Sequence, residues 1–235
     1  MPPRRPRRPD RPARGSRAGA ARGREAALRR ELVEICRRLH DRDLIGAAEG
    51  NVSARLPDGR IIVTPSGANK ARLAPADLLV VDAAGERLRG AGRPSTELRM
   101  HLAAYAARPD AGAAVHAHPL AAVALTVAGV PPPNDLVPEA AVTLGPVAVA
   151  PFATPGTAEL PAALAPLLAA HEVILLARHG ALALGRTLSE AFDRMETLER
   201  VARVAVLSRL LGSCEPLPAD AVARVLAAAG RPPRR

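Results

Sequence analysis

Between Asn51 and Gly185, short β-patterned runs, several joined by tight turns, alternate with stretches of helical period. No other feature narrows the possible folds as much. The segment "NVSARL", "PDG", "RIIVTP" reads as strand, turn and strand, and "EVILLARHGALALG" reads as a strand hairpin. In "APADLLVVDAAGERLRGAG" a short helical start leads into a buried strand and a "DAAG" turn. "DAGAAVHAHPLAAVAL" is a strand that passes into a helix near Pro119, and "GPVAVAPFATPGT" holds another short strand. The helical stretches are equally legible. "REAALRRELVEICRRLHDRDL" places Leu28, Leu32, Ile35 and Leu39 at three- and four-residue spacing. "PSTELRMHLAAYAARP" predicts a helix capped by Ser95 or Thr96, with Glu97 in its first turn. A long helix is predicted from Thr187 or Ser189 to Gly212. Strands joined by tight turns exclude a regular doubly wound sheet and predict a mixed sheet covered by helices, an α/β fold.

A chain of 235 residues that is 48% apolar can bury a core, and with 1% aromatics that core must be built of Ala, Val and Leu. The formal charge of +10 belongs to the ends, because the arginine excess lies in residues 1–24 and 231–235 and the remainder is nearly neutral. Residues 1–23, rich in Arg and Pro without apolar period, are expected to be disordered. Residues 24–230 are expected to form one domain, followed by a basic tail at 231–235. The opening segment has no apolar stretch of the signal-peptide kind and no aromatics to stack on bases, so nucleic acid is not an expected partner. No run approaches the ~18 apolar residues of a membrane span. Cys36 and Cys214 read as buried reduced thiols, which suits the cytoplasm.

Chemistry gathers around "AAVHAHPLA". Residues i and i+2 of a strand share a face, so His116 and His118 project together and can share a metal ion. His179 ends a second buried strand and is followed by Gly180, a residue that permits close backbone approach. Three histidines with the Glu97 carboxylate suit a catalytic Zn²⁺ that keeps one position open. A second set is small, polar and turn-forming: Gly50, Asn51 and Ser53, Ser66 and Gly67, Ser95 and Thr96. Loops of this kind present N–H and hydroxyl groups to a phosphate, and Glu97 directly follows Thr96, which would put the anion beside the metal.

The ordered pieces "GNVSAR", "IIVTPSG", "PSTELRMHLAAYAARPDAGAAVHAHP", "APFATPGT" and "LLARHGALALG" resemble the class II aldolase/adducin family, typified by L-fuculose-phosphate aldolase. The resemblance runs from about Arg24 to Gly212. It implies a three-layer α/β/α domain around a mixed, mostly antiparallel sheet, in a homotetramer acting on a sugar phosphate. It implies one zinc per subunit on His116, His118 and His179, with Glu97 as acid/base and additional ligand when substrate is absent. It further implies phosphate binding by Gly50, Asn51, Ser66, Gly67, Ser95 and Thr96. The implied reaction is retro-aldol cleavage of a ketose 1-phosphate to dihydroxyacetone phosphate and an aldehyde. The chain departs from the family pattern in the loop "PPPNDLVPEAAVTLG", which lacks the expected tyrosine; Glu139 is the ionisable residue there that could replace it. A sugar-phosphate dehydratase or epimerase of the same family, and a non-catalytic zinc-binding interaction domain, are the competing readings.

Overall fold

Most of the strands are buried on both faces, as strands sandwiched between helices must be. The computed structural model describes residues 14–132 and 134–231, with side chains from position 19 onward. Among the described residues the strands are β1 (Asn51–Arg55), β2 (Ile61–Val63), β3 (Leu79–Val81), β4 (Arg87–Arg89), β5 (Ala113–Ala117), β6 (Ala148–Ala150), β7 (Val173–Leu176) and β8 (Gly180–Gly185). They form one eight-stranded sheet in the order β4-β3-β2-β1-β5-β8-β7-β6. Every neighbouring pair is antiparallel except β6 and β7. The "PDG" turn joins β1 to β2, with Gly59 at φ +86° accepting the left-handed backbone the turn requires.

Alternation divides the core in two. Val52, Ala54, Val115, Ala117 and Ala183 face one layer, made by α1 (Arg14–Asp41), α3 (Leu120–Val127) and α5 (Leu188–Leu210). Ile61, Val81, Ala114, Ile174 and Leu182 face the other, made by α2 (Leu98–Ala107) and α4 (Glu159–Leu168). The result is the expected three-layer α/β/α arrangement with a mixed, mostly antiparallel sheet. Thr187 caps α5 by accepting the Glu190 N–H, and Gly212 at φ +102° follows its end, both as the pattern predicts.

Three features differ from the sequence reading. Helix α1 begins at Arg14, so the segment expected to be disordered through residue 23 is helical over its last ten positions. Arg and Ala are strong helix formers, and the helix that buries Leu32 continues upstream although Gly19–Arg24 bury nothing. Residues 1–13 and 232–235, the rest of the two expected tails, lie outside the described residues. Helix α2 begins at Leu98, so Glu97 stands at its cap position in place of Ser95 or Thr96. A helix α6 (Ala219–Ala228) follows the predicted elements and packs near the 140–144 turn. No helix among the described residues is long and apolar enough to cross a membrane.

Phe192 of α5 is fully buried, with the Arg38 guanidinium 3.9 Å from its ring centroid. Phe192→Ala is expected to cost about 3–5 kcal/mol, whereas Leu207→Ala, at a position that is 59% exposed on the same helix, should change stability by less than ~0.5 kcal/mol. Urea unfolding of the two variants checks the contrast.

Candidate active site

The ends of β5 and β8 bring the three histidines together. His116 pairs with Leu182 in the β5–β8 ladder, while the tight link from β7 to β8 delivers His179 to the same end. Gly180 makes this possible: a Cβ there would lie 2.4 Å from the Ala117 carbonyl and 2.8 Å and 3.0 Å from ring atoms of His118 and His116. Arg178, just before His179, holds a left-handed φ of +61°, a strained conformation of the kind that gathers at functional sites. The three ring centroids are 5.0, 4.9 and 5.2 Å apart.

Their nitrogens converge. His116 Nδ1 donates to the Ala181 carbonyl at 3.0 Å, which leaves Nε2 bare. That Nε2 is 3.2 Å from His118 Nε2 and 3.3 Å from Glu97 Oε2, while His179 Nε2 is 3.1 Å from Glu97 Oε1. One ligand atom from each of His116, His118 and His179 falls within 4.8 Å of the others. Glu97 Oε1 is buried without a hydrogen-bond partner, as is His179 Nδ1. Acceptor atoms that face one another across a buried gap fit a cation. Imidazole and carboxylate together form the donor set of a zinc-like divalent ion.

Glu97 is placed by a bend. It stands just before α2 with φ −91° and ψ 4°, the bridge region of the backbone, and its N–H is accepted by Ser95 Oγ at 3.2 Å. Its carboxylate therefore turns toward the sheet. Burial pushes the Glu97 pKa up, but contacts with His116, His179 and Asn51 outweigh it and hold the carboxyl below its usual range. Burial and the neighbouring His116 and His179 lower His118 to about 4, so it is neutral and ready to ligate near pH 7. Glu49 Oε2 lies 3.5 Å from His118 Nδ1 and helps to orient that ring.

The polar loops assemble beside this cluster. An isolated bridge between Pro65 and Pro94, with Ser66 N–H donating to the Arg93 carbonyl, ties the Ser66–Gly67 turn to the Ser95–Thr96 segment. Gly50, at φ +65°, lies where a Cβ would be 2.7 Å from the His116 carbonyl, and Asn51 Nδ2 donates to Glu97 Oε2 at 2.8 Å. Loop 154–157 closes over Thr96, leaving a Cβ at Gly156 only 3.1 Å from its side chain.

Glu139 is not brought to the histidines. It is exposed and lines a groove with Arg42, Glu196 and Arg200, because the 140–144 turn docks the loop on α5. The sequence reading also missed Lys70's part. Its buried ammonium donates to the Ala48 and Ala68 carbonyls and so pins the two small polar loops together. Cys36 is buried, with its thiol pushed up to about 12, whereas Cys214 is only partly buried.

The sequence model of the class II aldolase and adducin N-terminal domain matches residues 30–206. The chain belongs to the class II aldolase and adducin family. It is 36% identical to the 5-methylthioribulose-1-phosphate/5-deoxyribulose-1-phosphate aldolase of Rhodospirillum rubrum, over 87% of this chain and 91% of that protein. It is 35% identical to a 3-oxo-tetronate 4-phosphate decarboxylase of Escherichia coli, over 77% of this chain and 86% of that protein. The solved structure of an L-fuculose 1-phosphate aldolase superposes with a TM-score of 0.79 at 31% identity, covering 86% of this chain and 95% of that one. Class II aldolase relatives are lyases, and this chain is an enzyme of aldolase type.

His101, fully buried behind the site, has its pKa lowered to about 3 by burial and by nearby His116. Its unfolded value is near 6.5, so between pH 6.5 and 3 the unfolded state binds a proton that the native state does not. Stability is then fully present above pH 6.5 and is lost as pH falls below it. The metal-free protein should lose about 2 kcal/mol through His101 between pH 7 and pH 5. Urea titrations at the two pH values should show that loss in the wild type and a smaller one in His101→Gln.

Proposed function

We propose that this protein is a zinc-dependent aldolase that cleaves a ketose 1-phosphate, fuculose-phosphate-like in its phosphate end, to dihydroxyacetone phosphate and an aldehyde. The convergence of three imidazole nitrogens and one carboxylate beside small polar loops carries this reading. His116, His118 and His179 would hold the ion, with Glu97 as a further ligand before substrate enters. A divalent ion there supplies Lewis-acid polarisation of the ketose carbonyl and stabilises the enediolate. Ser66, Gly67, Ser95 and Thr96, with Gly50 shaping the turn, bind the phosphate through hydroxyl and backbone N–H groups, while the Asn51 side-chain amide is held by Glu97 and His101. Glu97 would move the proton at the enediol carbon once substrate is bound. One ion per subunit, a homo-oligomeric assembly and a cytoplasmic setting belong to the same proposal.

A second reading has a specific observation behind it. Cleavage of an aldol bond needs a group that takes the proton from the hydroxyl that becomes the aldehyde. The loop that should supply it has no tyrosine, and Glu139 sits on another groove. Decarboxylation of a 3-oxo acid phosphate needs no such group, because CO₂ leaves without a proton transfer. Both reactions reach the same enediolate of dihydroxyacetone phosphate, and Glu97 serves both in the same way. The first relatives carry both kinds of name, and a dehydratase name occurs among them.

A panel separates these readings: L-fuculose 1-phosphate, 5-deoxyribulose 1-phosphate and 3-oxo-tetronate 4-phosphate, each assayed for dihydroxyacetone phosphate, aldehyde and CO₂. Aldehyde release from either ketose phosphate supports the aldolase, whereas CO₂ from the oxo acid alone replaces it with the decarboxylase. Glu97→Gln should slow solvent deuterium exchange into dihydroxyacetone phosphate by about 10²–10⁴-fold with metal content unchanged. Exchange at the wild-type rate would remove Glu97 from the proton step.

A further inference from the structure

Four hydrogen bonds run in series behind Glu97, and the roles given above use only the first of them. Asn51 Nδ2 is 2.8 Å from Glu97 Oε2, and Asn51 Oδ1 is 2.5 Å from His101 Nε2. His101 Nδ1 is 2.6 Å from Ser53 Oγ, and Ser53 Oγ is 2.8 Å from the Tyr105 hydroxyl. The four residues behind Glu97 are buried, at 6% or less exposure. Asn51 and Ser53 are i and i+2 on β1, while His101 and Tyr105 are i and i+4 on α2. Strand period and helix period thus match across the layer, and polar side chains fill what would otherwise be apolar core.

The polarity of the chain is fixed from one end. An ionised Glu97 only accepts hydrogen bonds, so the Asn51 amide must turn its N–H toward it. Asn51 Oδ1 then faces His101, whose Nε2 must carry a proton. The ring is neutral in this desolvated place, so Nδ1 is bare and accepts from the Ser53 hydroxyl. Ser53 in turn accepts from Tyr105. The opposite polarity would press the Asn51 oxygen against the carboxylate at 2.8 Å. A buried network satisfied in only one direction holds its members in a single arrangement.

We propose that His101 is a positioning residue: as its Nε2–H tautomer, held by Ser53 and Tyr105, it locks the Asn51 amide so that its N–H points at Glu97 and fixes the carboxylate for proton transfer. The function, though not the tautomer, rests on the reading of Glu97 as the acid/base group. A core histidine that only fills space would keep the fold but would not set the rate of Glu97's proton step. In His101→Phe the ring volume remains while the donor to Asn51 is gone. In His101→Gln the side-chain amide can restore that donor.

The test follows solvent deuterium exchange into dihydroxyacetone phosphate, which reads Glu97's proton step whichever leaving fragment is natural. His101→Phe should lower the maximal exchange rate by about 10–100-fold, with the KM for dihydroxyacetone phosphate and the metal content unchanged. His101→Gln should recover most of the loss, and Tyr105→Phe should show a smaller fall of the same kind. The ¹⁵N shifts of the His101 ring in the metal-free wild-type protein should report a protonated Nε2 and a bare Nδ1. An Nδ1–H tautomer overturns the proposal even if His101→Phe fails to fold. So does a wild-type exchange rate in His101→Phe, or equal impairment of the Phe and Gln variants. Wild-type exchange in Glu97→Gln together with the Nε2–H tautomer would overturn the positioning function and identify the role of Glu97 as the failed premise.

Discussion

The Glu97 carboxylate is nearly nine-tenths buried, and a charge in that position must be compensated or it will neutralise. Much of the molecule serves that requirement. Ser95 accepts the Glu97 N–H and fixes the bend before α2, and Asn51 donates to one carboxylate oxygen. The other oxygen faces His179 and has no hydrogen bond. With His116 Nδ1 spent on the Ala181 carbonyl, a neutral His116 ring turns a bare Nε2 to the same point as the carboxylate, so only a protonated ring or a cation there can hold the charge. Such an arrangement of lone pairs is stable around a cation and costly without one.

The fold supplies the rigidity that this geometry needs. β1, β5 and β8 are adjacent in the middle of the sheet, between helices on both faces, and they carry Asn51, His116 and the close approach at Gly180. The segments at their edge, 46–50, 65–69 and 93–97, are loops. Lys70 ties the first two together through the Ala48 and Ala68 carbonyls, and the Pro65–Pro94 bridge joins the third. A rigid histidine face beside small polar loops would suit the proposed enediolate chemistry on a sugar phosphate. The same platform would then serve aldol cleavage or decarboxylation, according to what lies over the leaving fragment.

Legibility in the sequence followed the range of the interaction. The histidine cluster was readable because two of its members are i, i+2 on an apolar strand and the third precedes a glycine. A mixed sheet covered by helices was readable because hairpin turns and helical period are local signals, whereas the three-layer order came from the family resemblance. The parallel pairing of β6 with β7 was not, since it joins segments more than twenty residues apart with no local mark. The His101 network escaped for the same reason: His101 alone looks like one more polar residue on α2, and only the packing of α2 on β1 gives it Asn51 and Ser53. Glu139 shows the limit of residue type as a signal. Its residue type suited the role, but the turn at 140–144 carries it to the groove along α5. The N-terminal arginines read as disordered by composition, yet helix propensity extends α1 back to Arg14.

The central claim is that His116, His118 and His179 hold one divalent ion whose presence the enzyme's chemistry requires. Metal analysis of the purified wild type beside the His116→Ala/His118→Ala double variant tests it most directly, with circular dichroism to confirm the fold. The account predicts about one zinc-like ion per wild-type chain, and a folded double variant that has lost it and no longer exchanges deuterium into dihydroxyacetone phosphate. A double variant that keeps its full metal content, or a metal-free wild type that exchanges at an undiminished rate, would contradict it.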